Sequence, residues 1–456
     1  MTDMRTEIPA KPSIEKLEKR LKPSGRHRVR MFFLRAGTQA ADLLFRLIEL
    51  FIALIVTIFL VIPVALVLFL RKLFTGKPVT ISRARVIVGK GGRKLSLARF
   101  NLARSGWANL LLFIYVLTGK LGIVGASMED FADHQFTLES GYLHDGRPGI
   151  VSLWQVRRNS NIGHEGLAAT EWEYRFTHSP GSDLFLILRA IPACFFGKGS
   201  TTSPDTINLF DISFANLTMK DAVALIHETA GSGTEAESFF FVNPDCLNKT
   251  FSDQDYREVL VDADHVFPDG IGLAIAGKIV RSPLRENVNG TDMLPFLCEM
   301  AAAHDFSLFL LGGKPGVAEK MAANLEDTYR VRIAGTRDGY FDRSRENDAV
   351  LTTINESGAD IVLVAFGAPL QEKWISANLD RLDAAVVMGV GGLFDFYSGN
   401  TRRAPRWMRE IGLEWVYRIM QEPGRMWKRY VVGNPLFLMR VLIWKLRQGN
   451  QAGDTL

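Results

Sequence analysis

The pattern of apolar and polar positions divides the chain into stretches of different rhythm. Residues 47–70 read LIELFIALIVTIFLVIPVALVLFL. At about 1.5 Å per residue, that run is long enough to cross a hydrocarbon layer of about 30 Å. Ahead of it, residues 1–41 are charged and carry early Pro and Gly, which predicts a basic arm with at most one short helix near 14–21. Residues 80–196 mix basic loops with apolar stretches at 110–116 and 184–196, readable as interfacial helices or core segments. The polar stretch 197–205, GKGSTTSPD, is a candidate linker. Beyond it, strand-like runs at 238–242, 306–311, 360–366 and 384–390 alternate with helical patterns such as 317–329 and 371–379. Strand, glycine loop and helix in repetition predict an α/β fold with a mostly parallel sheet covered on both faces.

Charge sharpens the picture of the apolar run. Arg20, Lys22, Arg26, Arg28, Arg30 and Arg35 precede it, and Arg71, Lys72, Lys77, Arg83 and Arg85 follow it. Basic flanks on both sides carry the cytoplasmic mark twice, so a re-entrant hairpin broken at Pro63 is favoured over a straight span. The net charge of +5 needs no nucleic acid, because these basic residues sit where anionic lipid attracts them. The cytoplasmic face of a membrane is the expected location. Cys194, Cys246 and Cys298 are odd in number and lack metal-ligand spacing, and read as reduced packing residues.

Candidate chemistry lies in the loops after the strands, where open parallel sheets bind ligands. Gly312, Gly313, Lys314, Pro315 and Gly316 form one loop, Gly367, Ala368 and Pro369 another, and Gly389, Val390, Gly391 and Gly392 a third. Such bare backbone before a helix suits a diphosphate, although tight strand-to-helix turns need Gly anyway. Neither a P-loop nor a GxGxxG with a ribose acid is present. Asp269, in Phe267-Pro268-Asp269-Gly270-Ile271-Gly272, reads by itself as a turn residue before it reads as a base. Asp262-Ala263-Asp264 resembles a metal-binding triplet without a further ligand nearby, so no metal and no other cofactor is expected. The C-terminal region interleaves aromatics with Arg402, Arg403, Arg406, Arg409, Arg418, Arg425, Lys428 and Arg429. That pattern fits a buried helix face with a wet one, or a cationic lid over a lipid diphosphate.

The C-terminal half resembles the WecG/TagA/CpsF family of glycosyltransferases. The resemblance is carried by Asn243-Pro244, the segment 267–272, Asn289-Gly290-Thr291-Asp292, Leu310-Leu311-Gly312-Gly313 and Gly339-Tyr340-Phe341, and by the long runs 366–375 and 388–423. It implies a Rossmann-like domain over residues 206–435 with a helical C-terminal appendage, then a tail at 436–456. It also implies metal-independent inverting transfer from a UDP-sugar to a sugar on undecaprenyl diphosphate. Asp269 would be the general base. Asn243, Asp292, Gly312, Gly313, Gln371, Gly391 and Gly392 would line the substrate site, and Arg418, Arg425 and Lys428 would steady the lipid or nucleotide diphosphate. Phe241 stands where the family has a catalytic-site Thr, so that role does not carry over. Self-association is a further expectation.

Residues of about 42–200 resemble bacterial sugar transferases that begin lipid-linked glycans, through the Pro-containing apolar helix and the segments 88–93, 122–125 and 147–156. The catalytic Asp-Glu pair of that family is replaced by Ala108-Asn109. A degenerate, membrane-associated mixed α/β domain is therefore expected, since a covalent phosphosugar step needs its carboxylate nucleophile. A non-catalytic scaffold and an initiating phosphotransferase are the alternative functions.

Overall fold

The computed structural model describes residues 25–76, 81–100, 106–128, 146–159, 166–196, 203–233 and 235–453. The short helix expected near 14–21 and most of the 197–205 linker lie outside them. The chain separates into two compact units, Met1–Leu153 with Ala168–Ile187, and Trp154–Leu167 with Leu188–Leu456. The second unit therefore takes in residues ahead of the linker expected at 197–205.

In the first unit the apolar run is continuously helical. Helix Gly25–Val56 passes through a π-helical turn, Thr57–Val61, into helix Ile62–Thr75. Pro63 follows the π-helical turn directly, and the N–H it lacks is one that a continuous helix would otherwise bond to the turn before it. Val56, Val61 and Ile62 all keep right-handed helical angles, so the helix is not interrupted ahead of Pro63, where the hairpin reading expected a break. The widened turn absorbs the proline instead. By length and composition Ala40–Thr75 could cross a membrane.

The acid inside this run has a structural partner. Glu49 is 5% exposed and accepts from the N–H groups of Ile123 (2.6 Å) and Val124 (3.2 Å) and from Arg46 (2.8 Å). Strands β1 (Ile81–Val88) and β2 (Lys94–Phe100) pair antiparallel, and β3 (Gly122–Val124) and β4 (Gly149–Val151) pair parallel. A Cβ on Gly125 would lie 2.3 Å from the Arg147 carbonyl oxygen, so the backbone approach beside β3 and β4 demands glycine there.

The second unit is built on a parallel sheet. A hairpin of β5 (Thr206–Leu209) and β6 (Ile212–Ala215) turns at Phe210 and Asp211, both with positive φ. Then come β7 (Glu237–Val242), β8 (His265–Pro268), β9 (Ser307–Gly312), β10 (Arg332–Arg337), β11 (Ile361–Ala365) and β12 (Val386–Gly389). They form one sheet in the order β10-β9-β11-β12-β7-β8, every pair parallel. Strand alternation sends Phe240, Val242, Phe309, Leu311, Val362 and Val364 into one core, and Phe239, Phe241, Leu308, Leu310, Ile361 and Leu363 into the other. Both faces are thus buried, which is why these strands read as continuous apolar runs.

The stretch expected as a tail at 436–456 is helical as far as residue 453. Helix Gly433–Gly453 buries Phe437 and Val441 in the first core, and Arg440 donates to Asn248 (Oδ1, 2.8 Å). Apolar residues at helical spacing, Phe437 and Val441 among them, supply its buried face.

Candidate active site

The connection after β9 leads to β10 on one side, and that after β11 leads to β12 on the other. Loops that diverge in this way leave a crevice at the carboxyl ends of the strands. A cavity of about 1150 Å³ occupies that end, walled by the loops after β7, β9, β11 and β12 and by the C-terminal appendage. A smaller cavity of about 150 Å³ adjoins it, and Asn243, Asp245, Asp269, Thr291, Arg418 and Arg429 line both.

Strand β7 delivers Asn243, whose side-chain oxygen accepts from the N–H of Asp245 (3.1 Å) and Cys246 (3.2 Å) and caps helix Pro244–Lys249. Strand β8 delivers Asp269, whose own N–H donates to the Val242 carbonyl (2.9 Å), so the two strand ends are tied side by side. Gly270 takes a φ of +91° and donates to Asn287 (2.6 Å). A Cβ on Gly272 would meet the Pro244 ring at 2.3 Å. The Asn-Pro and Pro-Asp-Gly-Ile-Gly segments therefore interlock as one packed unit at the shared wall.

The Asp269 carboxyl makes no hydrogen bond among the described residues. Burial pushes its pKa above the usual carboxylate value, Glu414 and Asp292 push the same way, and Arg418 and Arg429 oppose them. Such a group holds its proton more readily than an exposed acid.

Gln371 is placed differently from an open lining residue. It is 3% exposed; its Oε1 accepts from the N–H of Gly367 (3.1 Å) and of Gly391 (2.9 Å), and its Nε2 donates to Glu372 (2.9 Å). One side chain thus staples the loops after β11 and β12 together. Gly313, Gly391 and Gly392 reach the large cavity. Gly312 does not line it: with a φ of +137°, a Cβ there would sit 2.6 Å from the Ala365 carbonyl oxygen, so its place is strand packing.

Asp292, in the first turn of helix Gly290–Ala303, is the hub of an ion network rather than an open carboxylate. It receives Arg403 (2.7 Å), Arg409 (3.3 Å) and the Asn289 amide (2.8 Å). Arg418 pairs with Glu414 (3.2 Å) and stacks over Phe396, 5.0 Å from its centroid. Arg425 and Lys428 line the large cavity, with Arg425 72% exposed and paired to Glu422 (2.9 Å). Phe241 fronts the same cavity but packs on Phe267, with ring centroids 5.6 Å apart.

Three features were not read from the sequence. Glu372 is fully buried beside Gln371, leaves its Oε2 without a hydrogen bond, and is pushed up to about 7 by burial. Its position in the first turn of a helix is one that acids commonly take for the helix dipole, which hides it in the sequence. Arg343 lies over the rings of Phe341 and Phe366, 5.2 and 4.5 Å from their centroids, at the cavity rim. Lys249 reaches the Ala368 carbonyl (2.9 Å) from across the cleft. The Asp262-Ala263-Asp264 triplet is divided in use, because Asp264 accepts from the Ser238 N–H and hydroxyl, both at 2.8 Å. Cys246 and Cys298 are buried free thiols, raised to about 11 and about 12 by burial. The Cys194 side chain lies outside the described residues.

The sequence model described as "Glycosyl transferase WecG/TagA/CpsF family" matches residues 207–451, more than half of the 456-residue chain. A curated relative from Bacillus subtilis (strain 168), an N-acetylglucosaminyldiphosphoundecaprenol N-acetyl-beta-D-mannosaminyltransferase, is 35% identical over 202 residues. That alignment spans 44% of this chain and 77% of the relative.

Proposed function

Since the chain belongs to the WecG/TagA/CpsF family and is a glycosyltransferase, we propose that it moves a sugar from a UDP-sugar to a sugar carried on undecaprenyl diphosphate, with inversion and without metal. The observation that carries this reading is the position of Asp269 on the wall shared by the two cavities, with its carboxyl unbonded and its pKa raised. The large cavity takes the nucleotide sugar. Its loops present main-chain groups at Gly313, Gly391 and Gly392, and Arg418, Arg425 and Lys428 stand where a departing diphosphate gathers charge. The smaller cavity takes the acceptor sugar between Asn287, Asn289 and Trp415.

In the step itself the acceptor hydroxyl loses its proton to the Asp269 carboxylate while its oxygen bonds to the anomeric carbon from the face opposite the diphosphate. The bond from that carbon to the diphosphate oxygen breaks, and the electron pair leaves with UDP. A base with a raised pKa keeps the proton it takes, which matches its strength to its task. The bacterial relative's printed activity on a diphosphoundecaprenol-linked sugar supports the acceptor class. The basic residues that follow the apolar helix, Arg71, Lys72, Lys77, Arg83 and Arg85, lie on the side that continues to the transferase and support a site on the cytoplasmic face of the inner membrane. A screen of radiolabelled UDP-sugars against a short-chain polyprenyl-diphosphate GlcNAc, with EDTA present, tests the reading. Transfer from at least one donor with EDTA is expected; no transfer from any donor, or transfer only after divalent metal is restored, contradicts it.

A further inference from the structure

The C-terminal appendage is held by residues that lie ahead of the matched domain. Glu410 ends helix Arg406–Glu410 and is 3% exposed. Its carboxylate accepts from Arg157 (Nε, 2.9 Å) and from Arg189, with Arg406 at 3.4 Å. Arg157, itself 3% exposed, comes from helix Leu153–Asn159, and Arg189 from helix Pro180–Phe196. Both belong to the same compact unit as Glu410, yet both precede residue 207, where the family match begins.

Charges this far from water persist only when paired with good geometry, so the cluster fixes the position of the helix that carries Glu410. The same stretch supplies the site. Arg409 reaches Asp292 (3.3 Å) and the Ala404 carbonyl (3.2 Å), and Arg403 reaches Asp292 at 2.7 Å. After Gly412, whose φ is +72°, helix Glu414–Gln421 brings Arg418 into the electrostatic field of Asp269. Glu410 also lines the smaller cavity.

We propose that Arg157 and Arg189 are positioning residues for transfer: the chain ahead of the transferase domain is a strut that holds helix Arg406–Glu410, and with it Arg403, Arg409 and Arg418, against the smaller cavity. The kinetic consequence rests on the reading of that cavity as the acceptor side, whereas the strut itself does not.

The test uses the full chain in nanodiscs, comparing wild type with Arg157→Met, Arg189→Met and the conservative Arg157→Lys. Hydrogen exchange of backbone amides is read alongside steady-state transfer. Arg157→Met and Arg189→Met should speed exchange across 404–421 by about tenfold or more, while the amides of β7, β9, β11 and β12 keep their protection. The acceptor KM should rise by about tenfold with donor KM within about twofold, and Arg157→Lys should recover part of both effects. Unchanged exchange at 404–421 overturns the strut, as does an equal acceleration throughout the sheet, which would mark the cluster as general stability only. If wild-type protein transfers no sugar, the proposed function fails, and the exchange pattern still decides the strut.

Discussion

Gln371 and Glu372 show how neighbouring residues divide the work of a site. Gln371 satisfies the N–H groups of Gly367 and Gly391 with one oxygen. Replacing it with Leu leaves two part-buried donors without their partner, at up to about 1 kcal/mol each where water from the cavity reaches them. Gln371→Leu should therefore lower the urea midpoint and weaken donor binding together, as equilibrium unfolding and nucleotide titration would show. Glu372 has a different signature. Its folded pKa, about 7, lies above the ordinary 4.5, so between those values the folded protein binds more protons than the unfolded chain. Its contribution is then most favourable below about pH 4.5 and becomes a penalty on the order of a few kcal/mol as pH rises past 7. Glu372→Gln should accordingly stabilise the protein at pH 8 more than at pH 5, read as melting temperatures at the two pH values. An equal shift at both would mean that Glu372 carries no such charge penalty. Neither behaviour was visible in the sequence, because the partners of a Gln or Glu side chain are set by loops that meet only in the folded sheet.

Elements were legible in proportion to their burial. Strands β7, β9, β11 and β12 have neighbours on both sides and read as unbroken apolar runs. Strand β10, Arg332-Ile333-Ala334-Gly335-Thr336-Arg337, lies at an edge with one partner and is polar enough to pass for a loop. Strand β8 is only four residues long and ends on Pro268, and it too escaped notice. The ion network around Asp292 was equally hidden, because Arg403 and Arg409 are more than a hundred residues away along the chain. The last helix, Gly433–Gly453, had been expected as a tail. A tail would tolerate Phe437→Ala, whereas the fully buried ring in the first core predicts a loss of about 3–5 kcal/mol by chemical denaturation.

At the scale of the whole molecule, we propose the apolar helix as a lipid anchor, separate from the unit that carries the transferase. Leu43, Phe51, Phe59, Val67 and Phe74 are each more than half exposed, and Glu49, the acid among them, is turned onto β3. An exposed apolar surface of that length calls for lipid. The full chain should sediment with anionic vesicles, and a chain lacking residues 1–76 should remain in the supernatant; equal partitioning of the two would remove the helix as anchor. The motif runs carry the family match, and the alternation of apolar runs with helical stretches carries the parallel sheet. What the sequence hid was that residues 154–167 and 188–196 belong with the transferase, since a boundary is read from composition whereas a compact unit is made by contacts.

Asp269 is the group proposed to take the acceptor proton. The direct measurement is the pre-steady-state rate of sugar transfer by Asp269→Asn, with melting temperature and donor affinity recorded on the same samples. A loss of about 100- to 10,000-fold in rate with fold and donor binding preserved is the predicted result. Transfer at the wild-type rate by the folded variant would contradict it.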